Sequence, residues 1–263
     1  MTPLKGKRLF LLDMDGTIYL DEQLFDGTLD FLAHVKAIGG RAMYLTNNSS
    51  KSVSSYVDKL QRLGISACAE DFLTSVNATV LYLQKQGYHK IYAFGTESFK
   101  SQLREGNLPI VDKLEEDIDC LCMGFDTELT FQKLEDACIL LNRGVDFVAT
   151  NPDWVCPTWY GSVPDCGSVS EMLFRATGRR PRFIGKPQPD MVELAIAKSG
   201  FAKEQAILLG DRLYTDIQSG VNAGIDTVLV LSGEATLDDL AVSQVKPAYV
   251  MENIREFLNN IKE

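Results

Sequence analysis

Histidine is scarce in this chain: His34 and His89 are the two it has in 263 residues. Imidazole catalysis and a histidine-rich metal centre are poor candidates on that count. None of the six cysteines stands in a CxxC pair or at zinc-binding spacing. Cys120 and Cys122 alternate through a predicted strand, so they share one face and read as buried small hydrophobes. No apolar run approaches the roughly 20 residues needed to cross a bilayer. The apolar stretch 9–12 is too short for a secretory signal core, and no small-residue cleavage site follows it. A cytoplasmic location without a membrane partner is expected. Basic residues are outnumbered 26 to 36, for a formal net charge of −10. Such a chain repels nucleic-acid backbones, so no nucleic-acid partner is expected. It repels small phosphate esters too, unless a cation and a few basic side chains reverse the field locally.

What is abundant is alternation. Apolar runs at 8–13, 42–46, 90–94, 119–123, 146–150, 206–210 and 227–231 read as strands. Helical periodicity fills 28–38, 52–63, 97–105, 131–143, 191–198 and 213–223, with glycines just past several ends. Strands alternating with helices over short connections predict an α/β fold, a doubly wound parallel sheet with helices on both faces. The pattern lapses between 151 and 167, a segment rich in proline, glycine and aromatics. A structureless run of that length is uncommon in a compact domain and often functional. Ser168 and Glu171 then have capping-box spacing for a helix closing at Gly178.

Four polar clusters fall where predicted strands end, the edge at which open parallel sheets bind ligands. Asp13 and Asp15 follow the first strand. Two carboxylates so close repel each other, and a hard divalent cation such as magnesium offsets that cost; the same pair also suits a simple turn before Gly16. Thr46, Asn47 and Asn48 follow the second strand and offer donors for phosphate oxygens. Simple N-capping of the following helix by Asn48, Ser49 or Ser50 is the competing reading. Lys186, between Gly185 and Pro187, reads either as an exposed loop lysine or as a partner for Asp13 and a phosphoryl group. Asp211 ends a further strand and is placed to complete an oxygen shell around the cation. Asp216 is suited to anchoring a metal-bound water, orienting Lys186, or complementing a helix dipole.

Taken in order, Asp13-Met14-Asp15-Gly16-Thr17, Thr46-Asn47-Asn48, Gly185-Lys186-Pro187 and Gly210-Asp211 with Thr215-Asp216 resemble the four motifs of the haloacid dehalogenase superfamily. The intervening stretch, with Ala149-Thr150-Asn151-Pro152-Asp153 and Gly178-Arg179-Arg180-Pro181, resembles the large α/β cap of its NagD-like and p-nitrophenylphosphatase branch. The resemblance implies a Rossmann-like core at 1–78 and 183–263 and an inserted α/β cap at 79–182. It implies a phosphatase acting on small phosphorylated metabolites, with Asp13 as nucleophile and Asp15 as acid and base. Magnesium would be held by Asp13, the Asp15 carbonyl and Asp211, and phosphoryl oxygens by Thr46, Asn47, Asn48 and Lys186. A phosphomutase or phosphotransferase using the same aspartate, and a non-catalytic phosphate sensor, are the competing readings. Asp153, Trp154 and Trp159 are candidates for reading the leaving group, or for packing the cap or a homodimer surface on it.

Overall fold

The protein is described by a computed structural model covering residues 4–158 and 160–262. Two compact units emerge. One comprises residues up to 46, 54–73 and from 186 onward; the other comprises 47–53 and 74–185. The divisions expected at 78/79 and 182/183 fall inside continuous elements, the Ser75–Gln86 helix and the Arg182–Phe183 strand. The first of these is capped by Thr74, whose hydroxyl accepts from the Asn77 amide N–H.

The first unit is built on a six-stranded sheet in the order Tyr249–Met251, Asp226–Val230, Ala206–Gly210, Leu9–Leu12, Arg41–Thr46, Phe72–Thr74. The first five strands run parallel. Leu9–Leu12 and Ala206–Gly210 are buried at every residue, as strands covered on both faces must be, which is why they read as unbroken apolar runs. From Leu9–Leu12 the chain moves outward to Arg41–Thr46 on one side, and much later returns to Ala206–Gly210 on the other. The strand order therefore reverses between the two central strands, and Asp13 and Asp211 leave the sheet at that switch point. Below the sheet, the Thr28–Ala37 and Ile254–Lys262 helices pack together. Phe10 meets Phe31 edge-on at 5.3 Å between ring centroids, and Phe257 lies 5.7 Å from Phe31. Each such pair adds about 1 kcal/mol beyond its buried area and fixes the strand three residues before Asp13.

The second unit has its own parallel sheet, ordered Arg182–Phe183, Asp146–Ala149, Cys120–Met123, Ile91–Phe94, Ile110–Val111. Cys120 and Cys122 are fully buried in it, and burial pushes both thiols up. The segment 151–167 departs from the expectation of irregular chain. Val155–Thr158 and Gly161–Pro164 form an antiparallel hairpin, and Cys166–Thr177 is helical. That helix starts two residues before Ser168, because Asp165 is its N-cap and accepts from the Cys166 N–H. The capping box expected at Ser168 and Glu171 does not form: Ser168 donates to the Trp154 carbonyl, and Glu171 pairs with Arg175 and Arg180. Gly167 permits the early start, since a Cβ there would strike the Pro152 and Asp153 carbonyls. No helix among the described residues is long and apolar enough to cross a membrane.

Candidate active site

Asp13 continues the buried Leu9–Leu12 strand, its N–H donating to the Leu209 carbonyl at 2.9 Å. Its side chain ends at Lys186, whose Nζ lies 2.6 Å from Asp13 Oδ1, 2.6 Å from Asp216 Oδ1 and 3.1 Å from the Leu45 carbonyl. Lys186 is buried. Burial works against its ammonium, but Asp13 and then Asp216 outweigh it and hold the charge more firmly than in water. The reading of Lys186 as an exposed loop lysine is therefore replaced by that of a buried bridge between two aspartates.

Asp216 reaches this lysine from an unusual turn. The helix expected over 213–223 divides into a π-helical turn, Leu213–Ile217, and an α-helix, Gln218–Ala223. Wide turns of this kind recur at functional sites. Here the turn brings Asp216 against Gly210, where any Cβ would overlap its side chain. Asp216 Oδ2 accepts from the Arg212 N–H at 3.1 Å. Asp216 Oδ2 thus meets a backbone N–H, and Oδ1 the Lys186 ammonium.

Asp211 is the counterpart. Its Oδ2 accepts from the Glu234 N–H at 2.8 Å and its carbonyl from the Ala235 N–H at 3.0 Å. A Cβ on either Gly16 or Gly233 would collide with Oδ2, so glycine is required at both. Gly16 also has φ +86°, which disfavours other residues. Asp211 Oδ1 is buried without a hydrogen-bond partner. Ligand oxygens of Asp13, Asp211 and Asp216 all lie within 4.8 Å of one another. Burial, and next Asp216, raise the Asp13 carboxyl well above the usual range despite Lys186. Burial and Asp216 likewise push Asp211 up to about 7. An all-oxygen donor set, crowded negative charge and one bare buried carboxylate oxygen fit a hard divalent cation.

Asp15 sits at the turn beyond. Its carboxylate is about half exposed, with Oδ2 accepting from the Tyr19 hydroxyl at 3.3 Å and Oδ1 3.8 Å from Lys59 Nζ. Tyr19 is fully buried, and burial, then Asp15, push its phenol above the ordinary value. Thr46 is buried at the end of Arg41–Thr46. Asn47 and Asn48 belong to the second unit. The next helix begins at Val53, so Asn48, Ser49 and Ser50 do not cap it. Instead Asn48 Oδ1 accepts from the Ser50 N–H and hydroxyl, while Ser49 Oγ accepts from the Phe125 N–H. Asn47 Nδ2 donates to Asp153 Oδ2 at 2.7 Å.

Asp153 itself is buried. Asn151 also donates to Asp153 at 2.7 Å and to Asp165 at 3.2 Å. Trp154 is half exposed, and Trp159 lies outside the described residues. Sequence reasoning missed the 232–235 loop, where Ser232 Oγ donates to the Gly16 carbonyl at 2.7 Å and Glu234 pairs with Arg212 at 2.8 Å. Its signal was available: Ser232-Gly233-Glu234 is another polar cluster directly after a strand.

Comparison with known proteins identifies the family. A haloacid dehalogenase-like hydrolase model matches residues 10–109, and a HAD-hydrolase-like model matches residues 183–257. The acid sugar phosphatase of Staphylococcus aureus is 33% identical over 261 residues, spanning 99% of this chain and 100% of that protein. The crystal structure of a 4-nitrophenylphosphatase from Thermotoga maritima superposes with a TM-score of 0.91 at 40% identity, covering 98% of each chain. A glycerol phosphate phosphatase from Mycobacterium tuberculosis, solved with magnesium, gives 0.90 at 30% identity over 97% of this chain and 78% of that one. The α/β architecture is shared with these solved structures, and the chain belongs to the haloacid dehalogenase-like hydrolases, in their NagD and nitrophenylphosphatase branch.

Proposed function

We propose that this protein is a magnesium-dependent phosphatase that hydrolyses small phosphate monoesters, such as sugar phosphates, nucleotides or p-nitrophenyl phosphate, through an aspartyl-phosphate on Asp13. One observation carries the reading: Asp13 is bridged by buried Lys186 at 2.6 Å beside an Asp211 whose Oδ1 has no hydrogen-bond partner. Phosphoryl transfer asks little of a nucleophile beyond position and charge neutralisation. The Asp13 carboxylate attacks phosphorus, and the P–O bond to the alcohol breaks as the new one forms. Asp15 gives its proton to the departing oxygen, then takes one from the water that cleaves the aspartyl-phosphate, serving both half-reactions. Lys186, fixed by Asp216, keeps a full positive charge against the phosphoryl oxygens. Thr46, with Asn47 and Asn48 next in the chain, supplies further donors. Asp13, Asp211 and the Asp15 carbonyl are the groups to hold magnesium, which when bound offsets the carboxylate repulsion and polarises the phosphoryl group. The acidic surface then ceases to be an obstacle, because attraction is local to the site.

The test is a phosphate-release screen over phosphorylated metabolites and p-nitrophenyl phosphate, with magnesium or with chelator, beside Asp13→Asn. Multiple turnovers that require magnesium and vanish in Asp13→Asn are expected. Undiminished release by Asp13→Asn rules out the assigned nucleophile, and a single equivalent of phosphate uptake without turnover supports the sensor reading instead.

A further inference from the structure

A half-exposed carboxylate that must give up a proton and regain one in each cycle needs its rotamer fixed, since small misplacements of catalytic groups are expensive in rate. Two residues outside the four sequence motifs reach the side chain of Asp15. The Tyr19 hydroxyl donates to Asp15 Oδ2 at 3.3 Å, and Lys59 Nζ lies 3.8 Å from Oδ1. Lys59 Nζ also sits 3.8 Å from the centroid of the Tyr19 ring. The three groups therefore close a triangle: ammonium on ring, ammonium on one carboxylate oxygen, phenol on the other. Its base is rigid. Tyr19 is fully buried, and its carbonyl accepts from the Gly16 N–H at 2.8 Å. Lys59 is 13% exposed on the Val53–Arg62 helix, held by a cation–π contact that its partial burial strengthens.

We propose that Tyr19 and Lys59 are positioning residues that clamp the Asp15 carboxylate, one on each oxygen, in the orientation from which it protonates the leaving group. This rests on the reading of Asp15 as acid and base. Proton bookkeeping is unaffected: Asp15 alone gains and loses the proton, while Lys59 stays an ammonium and Tyr19 a phenol. The clamp matters in proportion to how much the departing oxygen needs a proton. An alkoxide leaves poorly without one, whereas p-nitrophenolate leaves readily.

The experiment compares kcat/KM, which reports leaving-group departure, for alkyl phosphates and for aryl phosphates of increasing acidity, in wild type, Tyr19→Phe, Lys59→Met and Lys59→Arg. Tyr19→Phe keeps the ring and removes the hydroxyl; Lys59→Met keeps the stem and removes the charge. Each is expected to lower kcat/KM for alkyl phosphates about tenfold or more while changing p-nitrophenyl phosphate less than about twofold. Lys59→Arg is expected to recover most of the loss. Asp15→Asn, run beside them, should show the same leaving-group dependence in stronger form. Equal losses across the panel, or none, overturn the clamp. If one variant fails to fold by thermal melt, the other decides, since each holds a different oxygen. Failure of the wild type to turn over any ester would instead defeat the phosphatase reading, so the two failures are distinct.

Discussion

The two units contain similar parts put to opposite use. Each has a parallel sheet, and each buries aspartates just past strand ends. In the first unit Asp13, Asp211 and Asp216 crowd together with one lysine between them, and one Asp211 oxygen has no hydrogen bond. In the second, Asp153 and Asp165 are bonded by the amides of Asn47 and Asn151 and by a backbone N–H. Amide donors satisfy a carboxylate in place and make it architecture. Crowded, under-solvated carboxylates store repulsion that a bound cation would relieve, and so suit chemistry.

The largest effect that would break this contrast is on Lys186. Lys186→Met removes the ammonium that bridges Asp13 and Asp216, and a loss of about 10³-fold or more in kcat/KM is expected from steady-state assays. Retained activity would mean the bridge is structural. Next come opposite signs in stability. Asn151→Ala deprives Asp153 and Asp165 of a buried donor, and chemical denaturation is expected to show a loss of about 2 kcal/mol. Asp211→Asn in the metal-free protein is expected to raise Tm, because it relieves repulsion, while it abolishes the response to magnesium. Should both variants destabilise alike, the distinction between the units fails.

A third test is pH. Asp211, pushed up to about 7 in the folded chain against an ordinary 3.8, keeps its proton in the native state after the unfolded chain has lost it. Its contribution to stability is therefore full below about pH 4 and lost as pH rises through 7. Magnesium needs the ionised carboxylate, so the Tm gain from added magnesium should grow between pH 5 and pH 8, as scanned in paired melts with chelator. A gain independent of pH would place the cation elsewhere. The smallest effect concerns Trp154, half exposed before the hairpin. Trp154→Ala is expected to shift relative rates across a substrate panel by about threefold to tenfold, the scale of a lost apolar contact, with little change for the smallest ester.

Much of the catalytic side was legible because strand ends are legible. Leu9–Leu12 and Ala206–Gly210 are apolar throughout since both faces are covered, and the polar residue that stops each run is the one at the sheet edge. The 151–167 segment was not legible for the converse reason. The Gly161–Pro164 strand is largely exposed, so no apolar alternation marks it. Asp165 and Ser168 are equally good cap residues by type; contact of Gly167 with the Pro152 and Asp153 carbonyls decided between them. Likewise 213–223 has helical composition, and nothing local announces that its first turn widens to bring Asp216 against Gly210.

Residue order alone marked the candidate polar side chains and the sheet edge at which they emerge, because periodicity and strand termination are local properties of the chain. Tertiary structure alone decided what each carboxylate became. Whether an aspartate meets an amide, a lysine or nothing depends on groups far away in the chain, such as Glu234 for Asp211 and Asn47 for Asp153. Those pairings set its desolvation and charge, and with them its role.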